Sequence, residues 1–334
     1  MMKANRYFLL LTGSILLCIA IASASLMLGV LNFTPAELFR YLFSETEEPQ
    51  AAILYYARLP RTLAALLSGA ALALAGGVLQ NVLANPLASP NVIGVNAGAG
   101  FGVTLCCALG FVSGWTISAF AFLGSLLAIL FISLFSKRIS ASKATVVLGG
   151  IALNSILNAL SESIAVLNPD AAMLKSEFRV GGFSSVSYMR LIPAACMILL
   201  AMLLLFTLFH ELDVLSLGDE TAVGLGLSAK KYRGVFLLLS ALLAGAAVSF
   251  SGLLGFVGLI VPHFVRKLTG NESKKFLPLA AVTGAGFVCL CDTATRVIFA
   301  PYELPVGIVM AMLGGPCFAI LLMQTKGRTK TCLK

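Results

Sequence analysis

Residues 58–102 read RLPRTLAALLSGAALALAGGVLQNVLANPLASPNVIGVNAGAGFG. The stretch opens on the cations Arg58 and Arg61 and continues as an apolar helical run carrying the small residues Gly69, Ala70, Ala73, Gly76 and Gly77. In hydrocarbon, burial of apolar surface no longer drives helices together, and small residues take over by letting backbones approach closely. Asn85 and Pro86 then end the helix, while Ser89 as a cap and Pro90 at the first helical position predict the start of the next, with a tight polar turn between them. That next helix opens with Asn91, Gly94, Asn96, Gly98 and Gly100, a polar and glycine-rich surface that fits either a lined pathway or a packing face. Gln80, Asn85, Pro86 and Asn96 are the candidate pathway or interface residues here.

The same texture fills the chain. Of 334 residues 59% are hydrophobic and 11% charged, a balance that excludes a water-soluble domain of this length. A membrane-spanning helix needs roughly 20 apolar residues, and ten runs are read as helices: 7–31, 61–83, 92–112, 115–135, 144–167, 191–209, 235–250, 253–265, 276–299 and 305–323. They leave no room for a second domain, so the expectation is one all-α polytopic membrane domain over 1–334. The first run is too long for a signal-peptide core and is read as retained. The run 253–265, interrupted by Gly252, Gly255 and Gly258, is too short to cross unaided and is read as the buried second arm of a hairpin.

The formal charge of +9 points to membrane orientation rather than to nucleic acid. With the N-terminus inside, one side collects Lys3, Arg6, Lys137, Arg138, Lys143, Lys230, Lys231, Arg233, Arg266, Lys267, Lys274, Lys275, Lys326, Arg328, Lys330 and Lys334. These are 16 of the 23 cations. Arg40, Arg58, Arg61, Lys175, Arg179, Arg190 and Arg296 fall to the other side, among Glu37, Glu45, Glu47, Glu48, Asp170, Glu177 and Glu303. The excess of cations marks the cytoplasmic side and puts both termini there.

Chemistry-bearing groups are sparse. Seven of the eight cysteines lie in apolar runs and Cys332 lies in the tail; no CxxC or Cys/His metal spacing occurs, and His210 and His263 stand apart. No catalytic residue and no metal site is assigned. Asp292 and Arg296, four apart, can pair on one helix face, and Glu162 stands alone within its run. These two carboxylates are all that an ion-coupled secondary transporter, the alternative reading, has to work with.

The stretch 58–102, followed by LGGIALNSILNAL (148–160), LDVLSLGDETAVGLGLS (212–228), GFVGLIVPHFVRKLTG (255–270), DTATR (292–296) and PYELPVGIVMAMLGGPCF (301–318), resembles the FecCD family of ABC importer permeases. The family serves iron siderophores, haem and cobalamin. Two details depart from its pattern: Phe178 stands where Trp usually precedes the Gly181–Gly182 pair, and residues 252–256 read GLLGF rather than GPIGF. The resemblance implies a type II importer permease working with a second permease, identical or homologous, two ATPase subunits and an extracytoplasmic substrate-binding protein. This chain has no GxxxxGK(S/T) motif, so ATP and Mg would belong to the partner ATPase and no cofactor to this chain. The resemblance further implies that the segment 212–230 couples to the ATPase through Leu217, Gly218, Asp219, Glu220, Thr221, Ala222, Gly224 and Gly226. Arg58, Arg61 and Arg296 would meet acidic residues of the binding protein. Apart from the resemblance, the cost of an ionisable group within a membrane helix makes Glu162 a candidate pathway or interface residue. The cargo expected is an iron chelate, with haem and cobalamin behind it, and the setting a bacterial-type plasma membrane.

Overall fold

The computed structural model describes residues 4–29, 31–43, 48–138 and 143–331; Lys3, Glu45, Glu47, Cys332 and Lys334 lie outside them. Every regular element among the described residues is helical. In chain order these are α1 (Ala4–Met27), α2 (Pro35–Phe43), α3 (Pro49–Ile53), α4 (Leu59–Val82), α5 (Val95–Ala108), α6 (Gly114–Arg138), α7 (Lys143–Leu167) and α8 (Pro169–Val180). There follow α9 (Tyr188–Thr207), α10 (Phe209–Ser216), α11 (Asp219–Gly224), α12 (Ala229–Ser251), α13 (Val257–Thr269), α14 (Ser273–Ile298) and α15 (Val306–Thr331). A π-helical turn, Leu54–Arg58, joins α3 to α4, so the chain is helical from Pro49 to Val82.

Among the described residues, seven helices are long and apolar enough to cross a membrane. The other three runs give shorter helices: α5, α13 and the apolar part of α15, Val306–Ala319. The run expected over 92–112 shrinks to the 14 residues of α5, and the expected start at Ser89 and Pro90 is corrected. Ser89 accepts from the Val92 amide (3.0 Å) and Pro90 from the Val95 amide (3.2 Å), which closes a turn instead. Helix begins only after Gly94, whose φ of 97° is open to glycine and closed to most other residues.

Burial sorts the helices. The spanning windows of α4, α12 and α14 are 83%, 78% and 72% buried, against 6% for α1 and 17% for α7, so the first three form the centre and the last two face outward. The centre is made by backbone contact. A Cβ at Gly69 would run into the carbonyl of Gly284 and one at Gly284 into that of Gly69, while a Cβ at Gly76 would run into Gly258. This is the close approach that the small residues of α4 predict. Gly98 of α5 and Gly124 of α6 meet in the same reciprocal way.

The hairpin between α12 and α13 turns at residues 252–256, with Gly252 (φ 66°) and Phe256 (φ 65°) both left-handed. Its tip is stitched to α8 by Leu253 N–H donating to Phe178 O (2.9 Å) and by Gly182 N–H donating to Ser251 O (2.8 Å). Two helices outside the expected set, α2 and α8, carry ordinary start signals. Thr34 and Glu37 form a reciprocal capping box on α2, and Asn168 caps α8 ahead of Pro169 by accepting from Ala171 N–H (3.1 Å).

Candidate functional site

The start of α4 and the end of α14 lie side by side, and there Arg61 divides its guanidinium between two carboxylates. Nε donates to Asp292 Oδ2 (3.0 Å) and Oδ1 (3.2 Å), Nη2 to Oδ1 (3.0 Å), and Nη1 to Glu303 Oε2 (2.6 Å). Asp292 also has Arg296 Nε at 3.3 Å, the pairing that the four-residue spacing predicts. Arg296 then reaches Ser25 of α1, donating to its hydroxyl (2.7 Å) and its carbonyl (3.2 Å), and Ser25 in turn bonds Thr62 (2.8 Å). Arg58 donates to the carbonyls of Leu26 (2.7 Å), Met27 (3.0 Å) and Leu31, and lies over the Phe33 ring. The carbonyls that the end of a helix leaves without partners are here satisfied by two guanidinium groups. This ties the lightly buried α1 to the bundle.

The three arginines expected at a docking face are therefore brought together but not laid open. Arg58 and Arg296 are 6% and 4% exposed and, apart from the pairing of Arg296 with Asp292, spend their donors on the end of α1 and the residues just after it, forming an internal tie. Charges this deep persist only when compensated: Arg296 is paired with Asp292 and hydrogen-bonded, while Arg58, with no carboxylate partner among the described residues, is held by three carbonyls and the Phe33 ring. Of the three, Arg61 is the one whose carboxylate partner faces solvent: Glu303 is 38% exposed, Arg61 itself 12%. Glu303 and Ser25 are the participants that sequence reading passed over, since both reach the cluster from segments distant in the chain.

At the opposite end of the bundle lies the segment expected to couple. Gly218 and Gly226, both at positive φ (109° and 83°), bracket the six residues of α11. Ala222 is fully buried beneath it with Leu212 and Leu215. Leu217, Val223 and Leu225 point the other way and are 63%, 63% and 64% exposed, while Glu220, Thr221 and Gly224 are exposed around them. Asp219 is clamped by Arg233 of α12 and by Lys143 of α7 (3.4 Å). Burial pushes its carboxyl up, but the Arg233 hydrogen bond and charge, aided by Lys143, hold it below the ordinary carboxylate value. Asp213 of α10 accepts from the amide of Ser273, the first residue of α14 (2.9 Å). The apolar outer surface and the anchored inner one make α11 a rigid peg.

The remaining candidates fall between these ends. Gln80 is buried and donates to Gly258 O (3.2 Å), so within the chain it ties α4 to α13. Asn85 accepts from Leu87 N–H (2.9 Å) and closes the turn that contains the exposed Pro86. Asn96 donates to Asn91, and Asn154 of α7 donates to the carbonyls of Asn91 (2.8 Å) and Val92 (3.2 Å). This asparagine group is a polar patch to which sequence reading contributed Asn91 and Asn96 but not Asn154. Glu162 does not stand alone: it pairs with Lys175 of α8 at 2.6 Å and is 64% exposed. Both carboxylates available to an ion-coupled mechanism are thus held by internal cations. A cavity of about 730 Å³ opens between α8 and the hairpin tip, its wall including Ser176, Glu177, Arg190, Ser249, Ser251 and Pro305.

The family model described as the FecCD transport family matches residues 15–324. Among curated proteins, the hemin transport system permease protein HmuU of Yersinia pestis is 33% identical, the alignment covering 95% of this chain and 96% of that protein. The iron(3+)-hydroxamate import system permease protein FhuG of Bacillus subtilis (strain 168) is 32% identical over 96% and 98%. Among solved structures, a chain described as an inward-facing conformation of a metal-chelate type ABC transporter superposes with a TM-score of 0.83 at 31% identity. That match covers 94% of this chain and 98% of the other.

Proposed function

Because this chain belongs to the FecCD transport family, and is thus a multi-pass inner-membrane permease of the ABC type, we propose that it carries an iron chelate, or a related metal complex such as haem or cobalamin, into the cytoplasm on ATP hydrolysed by separate subunits. The relatives that import hemin and iron(3+)-hydroxamate support this cargo class. In this reading the ten apolar runs cross as ten segments, with both termini and α11 in the cytoplasm. The cation excess on that side supports the orientation. Two copies, or this chain and a homologue, form the pathway between them. The lightly buried α7, with Glu162 and the asparagine patch, faces that interface.

The observation that carries the reading is α11. A six-residue helix fixed from behind by Ala222, Asp219 and the Asp213–Ser273 bond, presenting Leu217, Val223 and Leu225 outward, has the form of a group that enters a partner's groove. The Glu220 side chain is exposed beside that patch and makes no hydrogen bond among the described residues. Glu220→Lys is therefore expected to lower transport and transport-stimulated ATP hydrolysis by at least about tenfold, the effect of losing one strong interface contact, without loss of expression. Full coupling in that variant would remove α11 from the mechanism. The reading as a whole is tested by isolating a tagged copy from native membranes in mild detergent and identifying what accompanies it by mass spectrometry. An ATPase subunit and an extracytoplasmic binding protein are expected. A chain recovered alone, yet transporting in liposomes without ATP, would overturn the proposal.

A further inference from the structure

Arg61 is a two-faced cation. Its Nε and Nη2 are committed to Asp292, which is 1% exposed, whereas its Nη1 holds Glu303, which is 38% exposed. Since Arg58 and Arg296 spend their donors on the end of α1 and on Asp292, the Arg61 donor held by the exposed Glu303 is the one that an anion arriving from outside could take over. The local charge favours such an arrival: Arg61 and Arg296 are matched by Asp292 and Glu303, and the unpaired Arg58 lies beside Arg296, three cations against two carboxylates among the described residues. Glu303 also lies in the turn that leads into α15. Two residues on, Pro305 abuts Gly182 and stands in the cavity wall. Gly307 N–H then donates to Gly181 O (3.4 Å), with no room for a side chain between Gly307 and the carbonyl of Val180. The Arg61–Glu303 bond thus lies immediately before the contacts by which the start of α15 rests on the end of α8.

We propose that Glu303 is a built-in competitor for the docking partner: it holds Arg61 Nη1 until a carboxylate on the extracytoplasmic binding protein takes its place, and the exchange frees the α14–α15 turn. The inference rests on the docking reading above and gives it a mechanism. Docking is an exchange of one ion pair for another, not the filling of an open basic site. Two consequences follow from the exchange. Affinity is held down by the cost of displacing Glu303. The salt dependence is shallow, because as many charge pairs are broken as are formed.

The experiment uses the permease–ATPase complex in nanodiscs and the binding protein recovered with it from native membranes, with affinity measured across a salt series. Glu303→Gln keeps the size and the acceptor oxygen but not the charge. It is expected to bind about three- to tenfold more tightly, the value of one partly exposed, charge-assisted pair, and with a steeper salt dependence than the natural chain. Glu303→Asp, which keeps the charge but shortens the reach, should fall between. Unchanged or weaker binding by Glu303→Gln with an unaltered salt slope would overturn the exchange and leave docking standing. A natural complex that binds no such protein would overturn the docking reading and this inference with it.

Discussion

Asp292→Ala is expected to cost about 3–5 kcal/mol of folding free energy, the range for removing one partner of a buried ion pair. The size of the effect comes from what stays behind. Arg61 and Arg296, with side chains 12% and 4% exposed, would face one another with no buried anion between them. Asp292→Asn, which keeps an acceptor for Arg61, should cost less. Adding Arg296→Met to Asp292→Ala should recover part of the loss, because the cost lies in the stranded cations rather than in a missing contact. Unfolding in mixed micelles by titration with denaturing detergent, followed by the fluorescence of the single tryptophan, Trp115, would measure all three. A midpoint for Asp292→Ala equal to that of the natural protein would show that the cluster is not a structural clasp.

Gly76→Leu should be as damaging by a different route. The obstacle to a side chain there is the backbone of Gly258, its Cα, carbonyl carbon and oxygen. A side chain in the way can change rotamer; a peptide group can move only by pushing α13 off α4. The cost is therefore expected to exceed the roughly 1–3 kcal/mol of ordinary core overpacking, and to be seen as loss of monodisperse protein in gel filtration. Gly13→Leu on the outward-facing α1, where nothing lies within 4 Å, provides the matched control. Equal yields from the two variants would mean that α4 and α13 do not approach as described.

These two sites were not equally visible in the sequence. Gly69 and Gly76 announce themselves locally, since small residues within one apolar run are a property of a single helix. Asp292 and Arg296 likewise declare their pairing by a four-residue spacing. Nothing local connects Arg61 with Glu303 or Ser25 with Arg296, pairs separated by 242 and 271 positions. Arg58 and Arg61 could thus be placed near a helix start without any sign that their donors were already taken. Gln80 has the same property: an amide in an apolar run reads as a pathway or interface residue, and the carbonyl of Gly258 that it satisfies lies on another helix. The late start of α5 escaped because Ser89 and Pro90 form a good helix-start signal, and the left-handed Gly94 that overrides it is evident only from backbone angles. In α8, by contrast, Asn168 and Pro169 gave a legible start that a search for long apolar runs passes over.

Helix α14 spans both ends of the protein. Its first residue, Ser273, is bonded by Asp213, next to the peg at α11, and its last turns carry Asp292 and Arg296. One helix therefore contacts both groups, and linkage imposes a symmetry on any signal it carries. If the nucleotide state of an ATPase gripping α11 changes the affinity for a partner at Arg61 by some factor, then filling the Arg61 site changes nucleotide affinity by that same factor. Measuring either effect alone fixes the other.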